Sequence, residues 1–175
     1  SQVAVCTLED AGNKFEAHTM RYRYDASGAL VSVSDGIQER TWTYENGMMV
    51  AEALYMRNCE QGDNALLLER AFSHNSIGLL SAVSEVQYGT DGTVQNRSRT
   101  EYFYNAAGER VREVTTDELT GQHRERTLGW GNMGQVNAIR LDSEEWELHH
   151  DMTGELASVD RKSTRLNSST PENLV

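Results

Sequence analysis

The chain is short of basic side chains, proline, cysteine and long apolar runs, and each shortage removes a class of function. Lys and Arg number 16 against 27 Asp and Glu, a formal net charge of −11. Nucleic acid and anionic membrane surfaces recruit basic patches that release counterions, so neither is an expected partner. The densest apolar stretches, residues 65–68 and 77–80, fall far short of the roughly 20 residues of a spanning helix, so no membrane span is expected. Cys6 and Cys59 are the two cysteines; an oxidising compartment permits one bridge between them, and their spacing leaves that open. Cys6 follows Val5, where a lipid-anchoring signal carries a small residue, which disfavours a lipoprotein. A Gly-rich phosphate loop leading into a helix, a nucleophile elbow and zinc-spaced Cys or His pairs are all missing. The expectation is therefore no enzyme, no cofactor and no metal. Serine rather than methionine stands first, implying that a signal peptide or an upstream part of the gene product has been removed.

A single proline beside 14 glycines indicates many turns, and those turns recur. Tyr22, Tyr24, Asp25, Gly28 and Leu30 set a spacing of aromatic, Asp, then Gly four and Leu six residues after the second aromatic. Phe72, His74, Asn75, Gly78 and Leu80 repeat it, as do Leu148, His150, Asp151, Gly154 and Leu156. Leu128, Trp130, Gly134 and Val136 keep all but the Asp, and looser copies are Val86, Tyr88, Gly92 and Val94, then Tyr102, Tyr104, Asn105 and Gly108. Trp42, Tyr44, Asn46 and Gly47 form a copy one residue shorter.

The spacing has a mechanical cause. Asp or Asn suits the first corner of a type I turn, where its side chain accepts backbone N–H groups, and Gly suits the last, where φ turns positive. A type I turn closed by a left-handed Gly connects a hairpin with a bulge, which places Tyr24 opposite Leu30, Trp130 opposite Val136 and His150 opposite Leu156. Strict alternation then sends Tyr22 and Tyr24 to one face and Val33, Val83, Ile139 and Val159 to the other, unless a second bulge intervenes, so both faces would carry apolar side chains. The fold expected is all-β: an antiparallel meander of repeated β-hairpins forming a large twisted, curled sheet or part of a β-shell. Residues 58–70 interrupt the pattern, with a loop at 59–64 and a helical turn or buried strand at 65–70, which periodicity does not separate at this length.

Few groups suggest chemistry. His74 and His150 occupy the aromatic position opposite a Leu, which favours packing. His149 and His150 are adjacent and point to opposite faces, so they do not share a metal. Asp142, Glu144 and Glu145 lack the alternating ligands and Gly of a calcium loop and read as a solvated acidic turn. The remaining ligand-binding candidates are Trp42, Trp130 and Trp146, because aromatic faces on a rigid sheet stack on sugar rings and anchor protein interfaces. Trp42 and Trp130 sit at repeat positions, where packing is the default.

The pattern Tyr22-x-Tyr24-Asp25-x-x-Gly28-x-Leu30 resembles the YD repeat of the rearrangement-hotspot and teneurin-like family, with echoes over residues 20–159 and departures at Gly89, Arg110 and Gly131. That resemblance implies a bacterial, exported protein whose repeats wind into a hollow β-shell, often enclosing a C-terminal toxin or displayed on a cell surface, with some members linked to carbohydrate binding. It makes this chain a structural scaffold at an extracellular, cell-surface or periplasmic location. Its partners are then neighbouring repeats of a parent chain, with glycans or an enclosed toxin domain beyond them, and the alternative is an extracellular carbohydrate-binding module. Residues 160–169 resemble a translated sequencing adapter, so the expected organisation is a repeat domain over 1–159 followed by a non-native or disordered tail over 160–175.

Overall fold

A computed structural model of the chain describes residues 2–5, 19–57 and 64–162. These residues form thirteen strands, hydrogen-bonded to one another in sequence order. They are β1 (Gln2–Val5), β2 (Thr19–Tyr24), β3 (Leu30–Ser34), β4 (Gln38–Glu45), β5 (Met48–Arg57), β6 (Asn64–His74), β7 (Leu80–Tyr88), β8 (Val94–Tyr104), β9 (Arg110–Asp117), β10 (His123–Trp130), β11 (Val136–Leu141), β12 (Glu144–His150) and β13 (Leu156–Lys162). The fold is the expected all-β antiparallel meander, without a helix among the described residues. Residues 65–70 resolve as strand, because β6 pairs with β5 on one side and β7 on the other. The chain divides into two compact units, Ser1–Glu101 with Thr115–Gln122, and Tyr102–Val114 with His123–Val175. The Cys6–Cys59 question and the tail from 163 onward lie outside the described residues; β13 itself runs to Lys162.

The recurring turn has one construction. The Gly28 amide donates to the Asp25 carbonyl at 3.2 Å and the Asp25 amide to the Ala29 carbonyl at 2.9 Å. Asp25 Oδ1 accepts the amides of Ser27 at 2.8 Å and Ala29 at 3.0 Å. Gly28 closes the turn at φ 88°, a region that costs an L-residue about 1–2 kcal/mol. Asn75, Asn105 and Asp151 accept the matching pairs of amides. Gly89 and Gly131, which depart from the motif, keep both backbone bonds without the side chain. The shorter copy is a two-residue hairpin in which Asn46 and Gly47 both have positive φ, 51° and 78°, the I′ geometry matching strand twist.

The predicted cross-strand pairs are present: Tyr24 faces Leu30, His74 faces Leu80, Trp130 faces Val136 and His150 faces Leu156. Val33 and its equivalents lie on the face of the motif aromatics, because the second bulge that reverses strict alternation is present. Tyr22 pairs directly with Val33, Phe72 with Val83, Leu128 with Ile139 and Leu148 with Val159. The cause is the bulge: Tyr24 pairs with Leu30 but Arg23 with Ser32, so Val31 is left over and the register moves by one,. Counting past that residue puts the motif aromatics and the later Val or Ile on the same side.

Each unit therefore has one face richer in apolar side chains. In the first unit the rows Tyr22–Val33–Arg40–Leu54–Leu68 and Phe72–Val83 lie on it, and the rows Arg23–Ser32–Thr41–Ala53–Glu69 and Ala71–Ser84–Arg99 on the other. In the second, Leu128–Ile139–Trp146 and Leu148–Val159 oppose Thr127–Arg140–Glu145–Lys162. The copy at Val86 and Tyr88 is inverted, since Val86 shares the face of Glu69. Burial is lateral: Ala82 is the one apolar residue classed as buried among those described, and no large side chain is fully buried. Stability comes from many half-buried cross-strand pairs of roughly 0.2–1 kcal/mol each.

Gly28→Ala adds a Cβ into space with nothing within 4 Å, so it strains only the backbone. It is expected to cost about 1 kcal/mol, seen as a lower urea midpoint at unchanged slope. At Gly131 an added Cβ makes ordinary contacts of 3.5 to 3.6 Å with Gln135, whereas at Gly89 it meets Asp91 Oδ1 at 2.6 Å. Gly131→Asn is thus expected to add up to about 1 kcal/mol of stability, seen as a higher urea midpoint, and Gly89→Asn to lower the midpoint.

Candidate functional site

The three tryptophans are all half-buried, and the structure does not gather them into one site. Trp42 belongs to β4 in the first unit, with Glu52 as its Cα partner on β5. Trp130 and Trp146 lie in the second unit on the same face, on β10 and β12, which β11 separates. The Trp130 indole Nε1 donates to the Arg110 carbonyl at 2.8 Å, so its polar edge is used within the protein. Trp146 is flanked by Ile139 and Arg161.

The polar chemistry on the apolar face of the first unit is an ion-pair row that sequence reading missed. Glu52, 7% exposed, accepts from Arg40 Nη1 at 2.9 Å through Oε1 and from Arg70 Nη1 at 3.0 Å through Oε2. Arg70 Nε continues to Glu85 Oε2 at 2.6 Å, and Gln87 donates to the other Glu85 oxygen at 2.7 Å. Burial raises the Glu85 carboxyl, but Arg70 and Gln87 outweigh it and hold the group below the ordinary carboxylate range,. The second unit repeats the chemistry: Glu113 lies between Arg110 at 2.8 Å and Arg126 at 2.5 Å. Its carboxyl, raised by burial, is brought below the usual value by these guanidiniums, Arg126 first. Arg110, at the motif's aliphatic position, stacks 4.5 Å over the Tyr102 ring in a cation–π contact,. The signal for these rows was present as Arg and Glu on successive strands, visible only once each bulge is counted.

The other candidates are likewise committed inside the chain. His74 and His150 face Leu80 and Leu156, and His149 Nε2 lies 3.2 Å from Asp160 Oδ2. Asp142 contacts Arg124 at 3.8 Å and Glu144 pairs with Arg161. No group of three or more His, Cys, Asp or Glu side chains suited to a metal occurs among the described residues.

The turn carboxylates contribute to the acid response alongside Glu85 and Glu113. The Ser27 hydroxyl and then the Ala29 amide hold the Asp25 carboxyl below its ordinary value, and the Thr153 hydroxyl and amide do the same for Asp151. A folded-state value below the unfolded one stabilises fully above the unfolded value and is lost as pH falls through the folded one. The urea midpoint is expected to be flat above about pH 5 and to fall below about pH 4. Asp25→Asn with Asp151→Asn, which keeps both Oδ1 acceptors, should shallow that fall while sparing stability at neutral pH. Trp130→Phe, which loses the bond to the Arg110 carbonyl, is expected to cost about 1 kcal/mol, read by thermal melting.

No family model and no curated protein matches this chain. Among solved structures it is similar to a Bacteroides fragilis protein of unknown function, at 12% identity and a TM-score of 0.40, over 71% of this chain and 91% of that one. It is also similar to TcdB2-TccC3 solved without its hypervariable C-terminal region, at 13% identity and a TM-score of 0.33. That match covers 82% of this chain, which spans 10% of the other's length.

Proposed function

We propose that the chain is a non-catalytic structural scaffold, a segment of a larger exported or cell-surface YD-repeat protein in which stacked hairpins build part of a wall or stalk. The observation that carries this reading is the turn itself. The same closure recurs at Asp25, Asn75, Asn105 and Asp151 and persists at Gly89 and Gly131 where the side chain is gone, as expected of a repeated building unit. The ionisable groups support it too. Glu52, Glu85 and Glu113 are engaged by arginines of the same chain, whereas a catalytic acid or base works from a group left poised for substrate. On this reading the partners are further repeats of the parent chain and any cargo those repeats enclose.

Two measurements test it. The parent gene recovered from source DNA is expected to carry further Asp/Asn-x-x-Gly copies in frame with this segment; an intact gene without them would overturn the segment reading. On a glycan array the purified chain is expected to give no saturable binding, and Trp42→Ala and Trp130→Ala to change melting temperature alone. Saturable binding lost in either variant would instead favour a carbohydrate-binding module.

A further inference from the structure

Repetition creates a pairing problem that the turns do not solve everywhere. Where an Asx-x-x-Gly turn or the Asn46–Gly47 hairpin joins two strands, the turn sets which residue faces which. Between β5 and β6, from Arg57 to Asn64, the sequence carries neither of these turn motifs. Their apolar sequences add little information. Leu54, Tyr55 and Met56 on β5 pair with Leu68, Leu66 and Ala65 on β6, and Ala51 with Ala71. After a two-residue slip several apolar side chains would still meet apolar ones, Ala53 with Ala71 and Tyr55 with Leu68 in one direction, Ala53 with Leu67 and Leu54 with Leu66 in the other.

The charges do discriminate. In the observed register Glu52 is the direct partner of Arg70, Ala51 of Ala71 and Leu54 of Leu68. A slip of two residues brings Glu52 opposite Leu68 or Phe72 and leaves a carboxylate that is 7% exposed beside apolar groups. An unpaired buried charge is a heavy penalty, whereas a satisfied buried pair gives little more net stability than a hydrophobic one. Arg40 from β4 and Glu85 from β7 occupy the remaining polar positions of Glu52 and Arg70, so the row spans four successive strands with alternating sign.

We infer that the Arg40–Glu52–Arg70–Glu85 row is a register lock for the β5–β6 pair, contributing pairing specificity where neither of the recurring turns joins the two strands. The test combines two variants with backbone NMR. In Glu52→Leu/Arg70→Leu the sheet is expected to stay folded, while the cross-strand contacts between residues 51 and 71 and between 54 and 68 split into several sets or vanish. The contact between Phe72 and Val83, in a hairpin held by the Asn75 turn, should persist, which a general loss of stability would not allow. Inverting all four charges (Arg40→Glu, Glu52→Arg, Arg70→Glu, Glu85→Arg) should restore one native set between β5 and β6. A double-leucine variant with a single native register overturns the inference. If that variant does not fold, the inverted chain decides: native pairing supports the lock, and its loss overturns it.

Discussion

The structure hangs on one backbone constraint, the left-handed glycine that ends each repeat turn. At φ 88°, Gly28 lets the chain reverse within a four-residue turn, and a second bulge just beyond it leaves one residue over on the returning strand. That leftover residue, Val31 after the first turn, is what decides the faces. It turns Val33 toward Tyr22, as the same bulge turns Val83 toward Phe72 and Ile139 toward Leu128. An L-residue at the glycine would strain the turn, and a turn without the bulge would send half of the aliphatic side chains to the wrong side. The turn glycine and the bulge that follows it together determine which side chains are able to pack.

Lateral packing follows from that arrangement. With Ala82 the one apolar residue classed as buried among those described, no concentrated core supplies the stability, and the favourable terms are small and distributed across strand pairs. Such a sheet also tolerates charge on its apolar side, provided each charge is matched. Glu52 and Glu113 each lie between two arginines on that side. The Arg aliphatic stems cover neighbouring apolar surface while the guanidinium heads bind carboxylate, so the networks fill space as well as balance charge.

Much of the fold was legible in the sequence and the reasons are local. Turn identity, turn glycines and the first cross-strand pair of each hairpin depend on a few adjacent residues, and Tyr24–Leu30, Trp130–Val136 and His150–Leu156 lie where spacing puts them. The facing of Val33 depended on whether a second bulge follows the turn, which spacing does not show; the leftover Val31 is that bulge, a one-residue shift that inverts everything beyond it,. Residues 65–70 were ambiguous because an apolar run is compatible with either helix or strand; only the hydrogen bonds to β5 and β7 decide it. The ion rows stayed hidden for a different reason. Arg40, Glu52, Arg70 and Glu85 are separated by 12 to 18 residues in their hydrogen-bonded contacts, so no sequence window shows them together.

Repetition and specificity pull in opposite directions in such a chain. Every similar turn makes each hairpin easy to form, and every similar strand makes it easier to pair with the wrong neighbour or at the wrong offset. The aromatic and aliphatic positions are the repeated part, so they do not tell one hairpin from the next. What tells them apart is aperiodic: the inverted copy at Val86 and Tyr88, the two-residue Asn46–Gly47 turn, the Arg110 that replaces an aliphatic residue, and the charge row across β4 to β7. A repetitive sheet needs each strand in its own place. Its least repetitive residues are accordingly where the strongest side-chain commitments are found.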